Sequence, residues 1–347
     1  MNVRDFDFEL PSDLIAQEPP PERGGSRLLF LNRTTGAIVD TTVTALPELL
    51  RRGDVLVINN TRVFPARLIG RRVPSGGAVE CLLVTRLEAD RWEALVHPGQ
   101  KLKPGARVIF EGAEPLHGEI LERRFHGRRV IRLWTEGGAD IDHVVDAIGH
   151  MPLPPYIRRA DREADRDRYQ TIFARSRGSI AAPTAGLHFT PALIDRCLAA
   201  GVELAEITLH VGYGTFQPVR VDRVEDHRLE PERYEVGRAA AALIANALRE
   251  GRRVIAVGTT TTRTLEAVGR EHGGQVVGSA GEADLFIYPG FQFQIVSGLV
   301  TNFHLPRSSL LMLVCAFAGR ERVLNAYHHA VAAGYRFYSY GDAMVVL

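Results

Sequence analysis

The alternation of strand-like and helix-like segments after residue 180 most constrains the fold of this chain. Apolar runs such as VELAEITLHV (202–211), RVIAVG (253–258) and ADLFIYPG (283–290) alternate with helical patterns such as TPALIDRCLAAG (190–201) and GRAAAALIANALREG (237–251). Strands that alternate with helices are typical of an α/β domain with a largely parallel sheet.

The chain between about 62 and 150 has a different pattern. Short strand-like runs such as AVECLLV (78–84), RWEALV (91–96) and RVIRLW (129–134) recur, separated by turn signals such as HPGQKLKPG (97–105). Their spacing, without helical periodicity, predicts a small barrel or sandwich.

We therefore predict an α/β fold: a mostly parallel sheet domain with an inserted all-β barrel domain. Residues 1–61 form the first part of the α/β domain, residues 62–151 the barrel, and residues 152–347 the remainder. GDVLVINNT (53–61) resembles a buried strand that ends in polar residues. The docking position of the N-terminal segment is not predicted.

Composition excludes several classes of protein. With 45% hydrophobic and 24% charged residues and a net charge of +1, the chain is typical of a soluble globular protein, and no overall field indicates a nucleic-acid partner. Three widely spaced cysteines argue against a disulfide framework or a local zinc site. No signal peptide and no apolar run of spanning length is seen, so we expect a cytoplasmic protein with no membrane partner.

A run of threonines follows the apolar segment VIAVG. Thr259, Thr260, Thr261 and Thr262 are followed by Arg263 at the start of a predicted helix. Helix N-termini carry free N–H groups and a partial positive charge, so this segment could hold a carboxylate or a phosphate. Plain helix capping is the alternative, although one cap explains only one threonine. No GK[ST] sequence follows, which excludes a Walker loop.

The segment GYGTFQPV follows another predicted strand. It begins G-x-G, but Gln217 occupies the third glycine position and Pro218 prevents a helix there, so a dinucleotide fingerprint is disfavoured. His210, Tyr213 and Phe216 could line a pocket. A lone histidine is more often structural.

Three further loops carry polar residues where apolar runs end. They contain His188, then Asn302, His304 and Arg307, and finally Arg62 after the strand 53–61. Such clusters are consistent with ligand contacts and equally with solvated loops.

Two basic clusters complete the pattern. RRADREADRDR (158–168) is balanced in sign and indicates a solvated helix face. RRFHGRRVIR (123–132) is more purely basic and could contact phosphates, although a solvated strand face is the simpler interpretation.

Together, in this order, several stretches resemble one family. The chain is similar to the S-adenosylmethionine:tRNA ribosyltransferase-isomerase family of queuosine biosynthesis from about residue 5 to the C-terminus, and least so in the β block. The matching stretches are FELPSDLIAQEP, SRLL, GDVLVINNTRVFPARL, AAPTAGLHFT, TLHVGYGTFQPV, VGTTTTRTLE, FIYPGF, TNFHLPRSSLLMLV and YRFYSYGDAM.

The resemblance implies an α/β domain with an inserted β-barrel, and a specific reaction. The ribosyl part of S-adenosylmethionine is transferred and isomerised onto the aminomethyl group of 7-aminomethyl-7-deazaguanine at the tRNA wobble position. Epoxyqueuosine forms, and adenine and methionine leave. The resemblance implies no metal and no cofactor, since S-adenosylmethionine is a consumed substrate. The tRNA anticodon arm is the expected partner, and we expect a monomer without an obligate protein partner.

The implied chemistry requires an acid/base pair, a carboxylate clamp and a tRNA surface. His210 and His304 are the acid/base candidates, and Arg263 with the threonines is the clamp candidate. The expected substrate-binding residues are Arg62, His188, Tyr213, Thr215, Phe216, Thr259, Thr260, Thr261, Thr262, Arg263, Asn302 and Arg307.

The sequence departs from the family pattern at four positions. Asn60 stands where aspartate is usual, Thr261 where serine is usual, Glu230 where a histidine is usual and Ser297 where aspartate is frequent. Thr261 keeps the hydroxyl, whereas Asn60 loses a charge, which puts a base at that position in doubt.

Two other classes stay open on the residues alone. One is a nucleotide-dependent oxidoreductase or methyltransferase on an α/β sheet, and the other is a noncatalytic RNA-binding module. The missing third glycine counts against an enzyme that binds a dinucleotide. The near-neutral net charge and the pocket-like loops count against an RNA-binding module.

Overall fold

The computed structural model describes residues 1–216 and 218–347, without the side chains of His126 and Phe216. It divides into two compact units. The first contains Met1–Arg62, Pro155–Arg159 and Arg168–Leu347, and the second contains Val63–Pro154 and Ala160–Asp167.

Strands supply most of the regular structure before residue 140 and helices most of it afterwards. The strands are β1 (Arg27–Leu31), β2 (Ile38–Thr42), β3 (Val55–Asn59), β4 (Thr61–Val63), β5 (Arg67–Val73), β6 (Ala78–Arg86), β7 (Arg91–His97), β8 (Arg107–Phe110), β9 (Leu116–Arg123), β10 (Arg128–Thr135), β11 (Ser176–Ser179), β12 (Glu203–Leu209), β13 (Glu232–Val236), β14 (Val254–Val257), β15 (Ser279–Ala283), β16 (Gly298–Asn302) and β17 (Ala343–Val346). The α-helices are α1 (Leu46–Leu49), α2 (Ile141–Ile148), α3 (Asp165–Arg168), α4 (Pro191–Ala199), α5 (Arg238–Arg249), α6 (Thr259–Glu271), α7 (Ser309–Ala318) and α8 (Arg320–Ala332).

The first unit is built on a nine-stranded sheet with the order β15-β13-β12-β3-β14-β16-β17-β1-β2. Its four central neighbours β12, β3, β14 and β16 are parallel, and so is the pair β17 and β1. The remaining pairs are antiparallel. The predicted α/β class is confirmed, with a mixed sheet whose centre is parallel.

The central strands are apolar because both of their faces are covered. Every residue of β3, β14 and β16 is buried. Alternate residues contribute to two cores: Val57 and Ala256 pack on one face of the sheet, and Ile58 and Val257 on the other. Strands covered on both faces have continuous rather than alternating apolar sequences.

The second unit contains a closed barrel of antiparallel strands in the order β10-β7-β6-β5-β8-β9. Buried and more accessible residues alternate along β6, where Val79, Cys81 and Leu83 point into the core. Alternation is typical of strands with one face inside a barrel. The predicted inserted barrel is confirmed.

Two predicted strands are shorter than expected. Of the segment 283–290 only Ala283 belongs to β15, because the carbonyls of Ala283 and Leu285 accept hydrogen bonds from the Arg263 side chain. The C-terminal segment 335–347 forms a strand only at β17. Before it, Tyr338 has a positive φ of 73° and Asp342 accepts the backbone N–H of Arg336, which makes a turn.

Among the described residues, no helix combines the length and the apolar character needed to cross a bilayer.

Candidate functional site

A cleft of about 550 Å³ lies in the first unit, beside the carboxyl ends of the central strands. Segments 182–185, 258–260, 301–302 and 338–339 line it, together with Tyr156, Val211, Thr215, His304 and Leu310. In parallel sheets the loops after the strands converge at this edge, which is where ligands bind.

The turn between β14 and α6 supplies one wall of the cleft. Gly258 has a φ of 96° and a ψ of 152°, a conformation that glycine adopts without strain, and α6 begins at the next residue. Thr259 and Thr260 line the cleft. The Thr260 side chain is 8% exposed, and its Oγ1 has no hydrogen-bond partner among the described residues. Because buried hydroxyls are usually paired, this one is available to a ligand.

Thr261 and Thr262 have a structural role instead. Their hydroxyls donate to the carbonyls of Val257 and Gly258, 2.8 and 3.1 Å away, and neither side chain lines the cleft. Back-bonding of this kind satisfies a buried hydroxyl within its own helix. The expectation of four ligand-facing threonines is therefore corrected to two.

Arg263 is not brought to the cleft, which corrects the expectation that it clamps a substrate carboxylate. The residue is 5% exposed, and its guanidinium donates from Nη1 to Glu232 Oε2 at 2.7 Å. The remaining donors reach the carbonyls of Leu285 and Ala283 at 3.0 and 3.2 Å. A guanidinium whose charge and donors are already satisfied has little to offer a ligand.

Arg263 nevertheless acts on the cleft through Glu232. The second carboxylate oxygen, Oε1, accepts the backbone N–H of Gly212 at 2.9 Å. Gly212 begins the turn that carries Thr215, which lines the cleft. The pair thus connects the second turn of α6 to the loop that begins at Gly212.

The other residues of this turn contribute less. Tyr213 is half-buried and does not line the cleft. The side chain of Phe216 and the residue Gln217, both considered in the sequence, lie outside the described part of the chain. The side chain of Glu230 lies beside Gly214, on which a Cβ would be 3.5 Å from both the Cβ and Oε2 of Glu230.

His304 lines the cleft as a neutral imidazole. Its Nε2 is 2.8 Å from Thr301 Oγ1, which donates its own proton to the carbonyl of Asn302 at 3.3 Å. We therefore assign the imidazole proton to Nε2, which leaves a lone pair on Nδ1 with no partner among the described residues. Burial lowers the pKa of His304 to about 3. The cleft thus contains an imidazole that can accept a proton or a hydrogen bond at Nδ1.

Asn302 lies at the end of β16 and lines the cleft. Its Nδ2 donates to the carbonyl of Tyr338 at 2.9 Å, which fixes a residue with positive φ. Its Oδ1 is buried and has no hydrogen-bond partner among the described residues. The side chain of Asn302 opposes the lowering of the His188 pKa by burial.

His188 lies behind this wall. Its Nδ1 is 3.0 Å from Ser26 Oγ, and it lines a smaller neighbouring cavity of about 280 Å³ with Arg23, Arg168 and Ser339. Burial, opposed by Asp342 and Asn302, lowers its pKa to about 4. His188 is therefore a neutral, buried imidazole next to the cleft rather than a residue that lines it.

His210 is not among the residues that line the cleft. Its Nδ1 is 2.8 Å from Thr61 Oγ1, and its ring packs on Gly178, where a Cβ would lie 2.7 Å from Cε1. Burial, followed by the charge of Arg233, lowers its pKa, and Glu235 opposes this. The structure does not bring His210 and His304 together in one cleft.

The two remaining arginine candidates lie elsewhere. Arg62 is exposed in β4. Arg307 has a φ of 59°, is exposed, and forms an ion pair with Asp7 at 2.6 Å, which raises the pKa of its guanidinium. Neither lines the cleft, so their expected contact with a substrate in it is not supported.

Several residues of the cleft were not predicted. The rings of Tyr156 and Tyr338 meet with centroids 3.8 Å apart, and the Tyr156 hydroxyl hydrogen-bonds to Ser339 Oγ. Burial raises the pKa of Tyr338 and of Tyr156. No local pattern identifies Tyr156, because its partners are about 180 residues away in sequence.

The departures from the family pattern are accommodated locally. Asn60 Oδ1 accepts the Thr208 hydroxyl at 2.7 Å, and Ser297 Oγ donates to the carbonyl of Val254 and accepts its N–H. Neither lines the cleft. Within the described residues, His, Cys, Asp and Glu side chains form no group of three that could hold a metal ion.

Comparison with known proteins gives one consistent result. A family model described as queuosine biosynthesis protein matches residues 3–346. The S-adenosylmethionine:tRNA ribosyltransferase-isomerases of Desulfitobacterium hafniense and Heliobacterium modesticaldum are 53% and 52% identical to this chain, each over 100% of both chains.

A solved structure, the S-adenosylmethionine tRNA ribosyltransferase of Thermotoga maritima, has 38% sequence identity and a TM-score of 0.56. The match covers 99% of this chain and 100% of that chain. With this fold, this cleft and a match over nearly the whole length, the chain belongs to the queuosine biosynthesis protein family.

Proposed function

We propose that this protein is an S-adenosylmethionine:tRNA ribosyltransferase-isomerase. It transfers and isomerises the ribosyl moiety of S-adenosylmethionine onto the aminomethyl group of 7-aminomethyl-7-deazaguanine at the tRNA wobble position. The products are epoxyqueuosine in the tRNA, adenine and methionine. The similarity to relatives of that name over 100% of both chains carries the proposal.

The reaction makes defined demands on the cleft. The sulfonium acidifies the C5′ protons, and a base removes one of them. Ring opening then expels adenine, the acceptor amine attacks, and closure of the epoxide expels methionine. Each step moves a proton, so a neutral group with a free lone pair must be near the sugar.

His304 is the proton-transfer group that we assign to the cleft. Its Nδ1 has no hydrogen-bond partner among the described residues, and its low pKa keeps it unprotonated throughout the physiological range. His210 precedes Val211, which lines the cleft, and is held by Thr61. We assign His210 to positioning this wall rather than to the chemistry.

Thr259, Thr260 and Thr215 are the hydroxyls that we assign to substrate contacts, because they line the cleft. Asn302 joins them as an amide that also fixes Tyr338. S-adenosylmethionine is a consumed substrate in this proposal, with no resident cofactor, and the enzyme works as a cytoplasmic monomer on the anticodon arm.

One incubation tests the function: the protein, S-adenosylmethionine, and tRNA carrying the 7-aminomethyl-7-deazaguanine base. Free adenine together with a heavier wobble nucleotide supports the proposal. Transfer of a methyl group would instead identify a methyltransferase, and binding without turnover an RNA-binding module.

The role of His304 is tested in the same assay. His304→Gln should lower the rate of adenine release by about 100-fold or more, since positioned proton transfer contributes roughly 10²–10⁴-fold. His329→Gln is a control, because His329 is a surface residue paired with Asp40. A near-normal rate in His304→Gln would remove the assignment.

A further inference from the structure

One end of the barrel concentrates positive charge. Arg123 ends β9, the turn that follows carries Arg124 and Phe125, and the loop between β7 and β8 carries Lys101 and Lys103. These five residues are called the basic barrel end. Lys101 and Lys103 are the only lysines among the 42 Lys and Arg residues of the sequence.

Strand register places both connections at the same end. Leu95 near the end of β7 pairs with Arg128 at the start of β10. Arg107 at the start of β8 pairs with Glu119 in the middle of β9, whose last residue, Arg123, pairs with Arg129 of β10. The loop 98–106 and the turn 124–127 are therefore neighbours.

A buried guanidinium ties the two connections together. Arg129 is 4% exposed, and its Nε and Nη2 donate to the carbonyls of Leu102 and Gly99 at 2.9 and 2.8 Å. Its Nη1 donates to the carbonyls of Arg128 and Gly127 at 2.8 and 3.2 Å. Burial and then the charge of Arg123 lower its pKa. Among the described residues Arg129 has no carboxylate partner. Its positive charge therefore adds to the positive potential of the basic barrel end.

The exposed cations are only partly neutralised. Arg124 forms ion pairs with Glu93 and Glu122 at 3.4 and 3.6 Å. No ion pair of Lys101, Lys103 or Arg123 is found within the described part of the chain. Unpaired cations on a rigid surface attract an anionic partner.

Phe125 follows Arg123 and Arg124 directly in the chain. Its side chain is 89% exposed, whereas the next most exposed large apolar residue among those described, Val39, is 52% exposed. A single exposed apolar residue is common on protein surfaces. An exposed aromatic ring at the same barrel end as several exposed cations is different, because it offers a stacking surface near phosphate-binding groups.

We propose that the basic barrel end binds tRNA: Phe125 stacks on an unpaired base, and Lys101, Lys103 and Arg123 contact phosphates. RNA combines negative charge with unpaired bases that stack on aromatic rings. Such a surface contributes electrostatic and stacking affinity even though the net charge of the whole chain is only +1. This inference rests on the proposed function only for the identity of the RNA.

Equilibrium binding of a tRNA transcript tests the surface directly. Phe125→Ala should raise the Kd about 10-fold, within the range for loss of one base stack, and Phe125→Trp should restore binding. Lys101→Ala combined with Lys103→Ala should lower the slope of log Kd against log salt by about one per lost phosphate contact. All these side chains are exposed, so thermal stability should not change.

Two variants at the other end of the barrel are matched controls. Leu87, which follows β6, is 38% exposed, and the side chain of Arg91, the first residue of β7, is 45% exposed. Leu87→Ala and Arg91→Ala should leave the Kd within about two-fold of wild type. An isolated anticodon stem–loop, compared with the full transcript, shows which part of the tRNA supplies the stacked base.

The outcomes separate this proposal from the proposed function. If Phe125→Ala binds tRNA as wild type does, or if Leu87→Ala weakens binding equally, the surface is not an RNA site. If the lysine variant loses tRNA binding and Phe125→Ala does not, only nonspecific electrostatic attraction is left. That result would overturn the proposed stacking of Phe125 on a base. Because Kd is measured without turnover, these results stand whether or not the wild type releases adenine.

Discussion

Arg263 and Glu232 show how one buried pair can shape the cleft without lining it. The pair connects the second turn of α6 to Gly212, and so links two walls that carry Thr260 and Thr215. Glu232→Gln keeps an acceptor for the N–H of Gly212 but leaves the charge of Arg263 unpaired. We expect a several-fold higher KM for S-adenosylmethionine and a loss of about 3 kcal/mol of stability, typical of a broken buried pair.

The pair Arg253–Asp54 is the matched control. Arg253 Nε lies 2.9 Å from Asp54 Oδ1, and Asp54 is buried, but both residues precede the strands β14 and β3, at the opposite edge of the sheet. Asp54→Asn should lower stability by a similar amount and leave KM unchanged. If the two variants change KM alike, Glu232 acts only through stability.

The unpartnered hydroxyl of Thr260 supports a second prediction. Thr260→Val removes a buried hydroxyl that has no partner among the described residues, and leaves the volume nearly unchanged. An unsatisfied buried hydroxyl costs about 1–3 kcal/mol, so the variant should unfold at a higher temperature. If that hydroxyl binds substrate, the KM for S-adenosylmethionine should rise.

Thr261→Val is the comparison within the same turn of helix. It removes a hydroxyl that donates to the carbonyl of Val257 and does not line the cleft. We expect no gain in stability and no change in KM. Thermal melts and initial rates of adenine release measure both quantities, and a gain in stability without a change in KM in Thr260→Val would mean that substrate does not use this hydroxyl.

At the scale of elements, the junction of β14 and α6 depends on a conformation that only glycine adopts readily. Gly258 has φ 96° and ψ 152°, and a Cβ there would meet nothing closer than 3.5 Å. Gly258→Ala is therefore opposed by backbone strain and not by a steric clash of the new Cβ. The strain should cost roughly 1–3 kcal/mol of stability. We expect lower stability and, because the junction carries Thr259 and Thr260, a lower rate of adenine release.

Gly251→Ala separates the effect of backbone strain from the effect on the cleft. Gly251 follows α5 with a φ of 67° and nothing within 4 Å of a Cβ. Alanine in this left-handed region costs about 1 kcal/mol, and the residue does not line the cleft. Activity per folded molecule should match wild type, measured by adenine release after correction for the folded fraction.

An element can be predicted from the sequence when the residues that determine it lie close together in the chain. The helix α4 was predicted because Thr190 caps it by accepting the N–H of Leu193 and Pro191 occupies the first turn. The cleft was predicted only in part, since Tyr156 and Tyr338 come together from distant parts of the sequence. The sequence places Arg263 in the cleft because it does not reveal the partner of this arginine. That partner, Glu232, lies on β13, a strand that the sequence pattern does not indicate.

At the scale of the whole molecule, burial of imidazoles couples stability to pH. Every described histidine with a shifted pKa is shifted downward, chiefly by burial: His188, His210, His227 and His304. Unfolding returns each to a pKa of about 6.5, so between that value and the folded pKa the unfolded chain binds more protons. Stability is therefore complete above pH 6.5 and is lost as the pH falls toward 4 for His188 and toward 3 for His304.

The size of this effect makes it measurable. Between pH 7 and pH 5, His188 and His304 should each remove about 2 kcal/mol from the free energy of unfolding of the first unit. His304→Gln should flatten the dependence by that amount, whatever it does to stability at pH 7. Glu266, whose pKa burial raises, acts in the opposite direction but equally in both proteins, so it cancels in the difference. Urea unfolding at pH 7 and pH 5 measures the change in the free energy of unfolding with pH for wild type and variant. Equal changes would show that His304 is protonated as readily in the folded protein as in the unfolded chain.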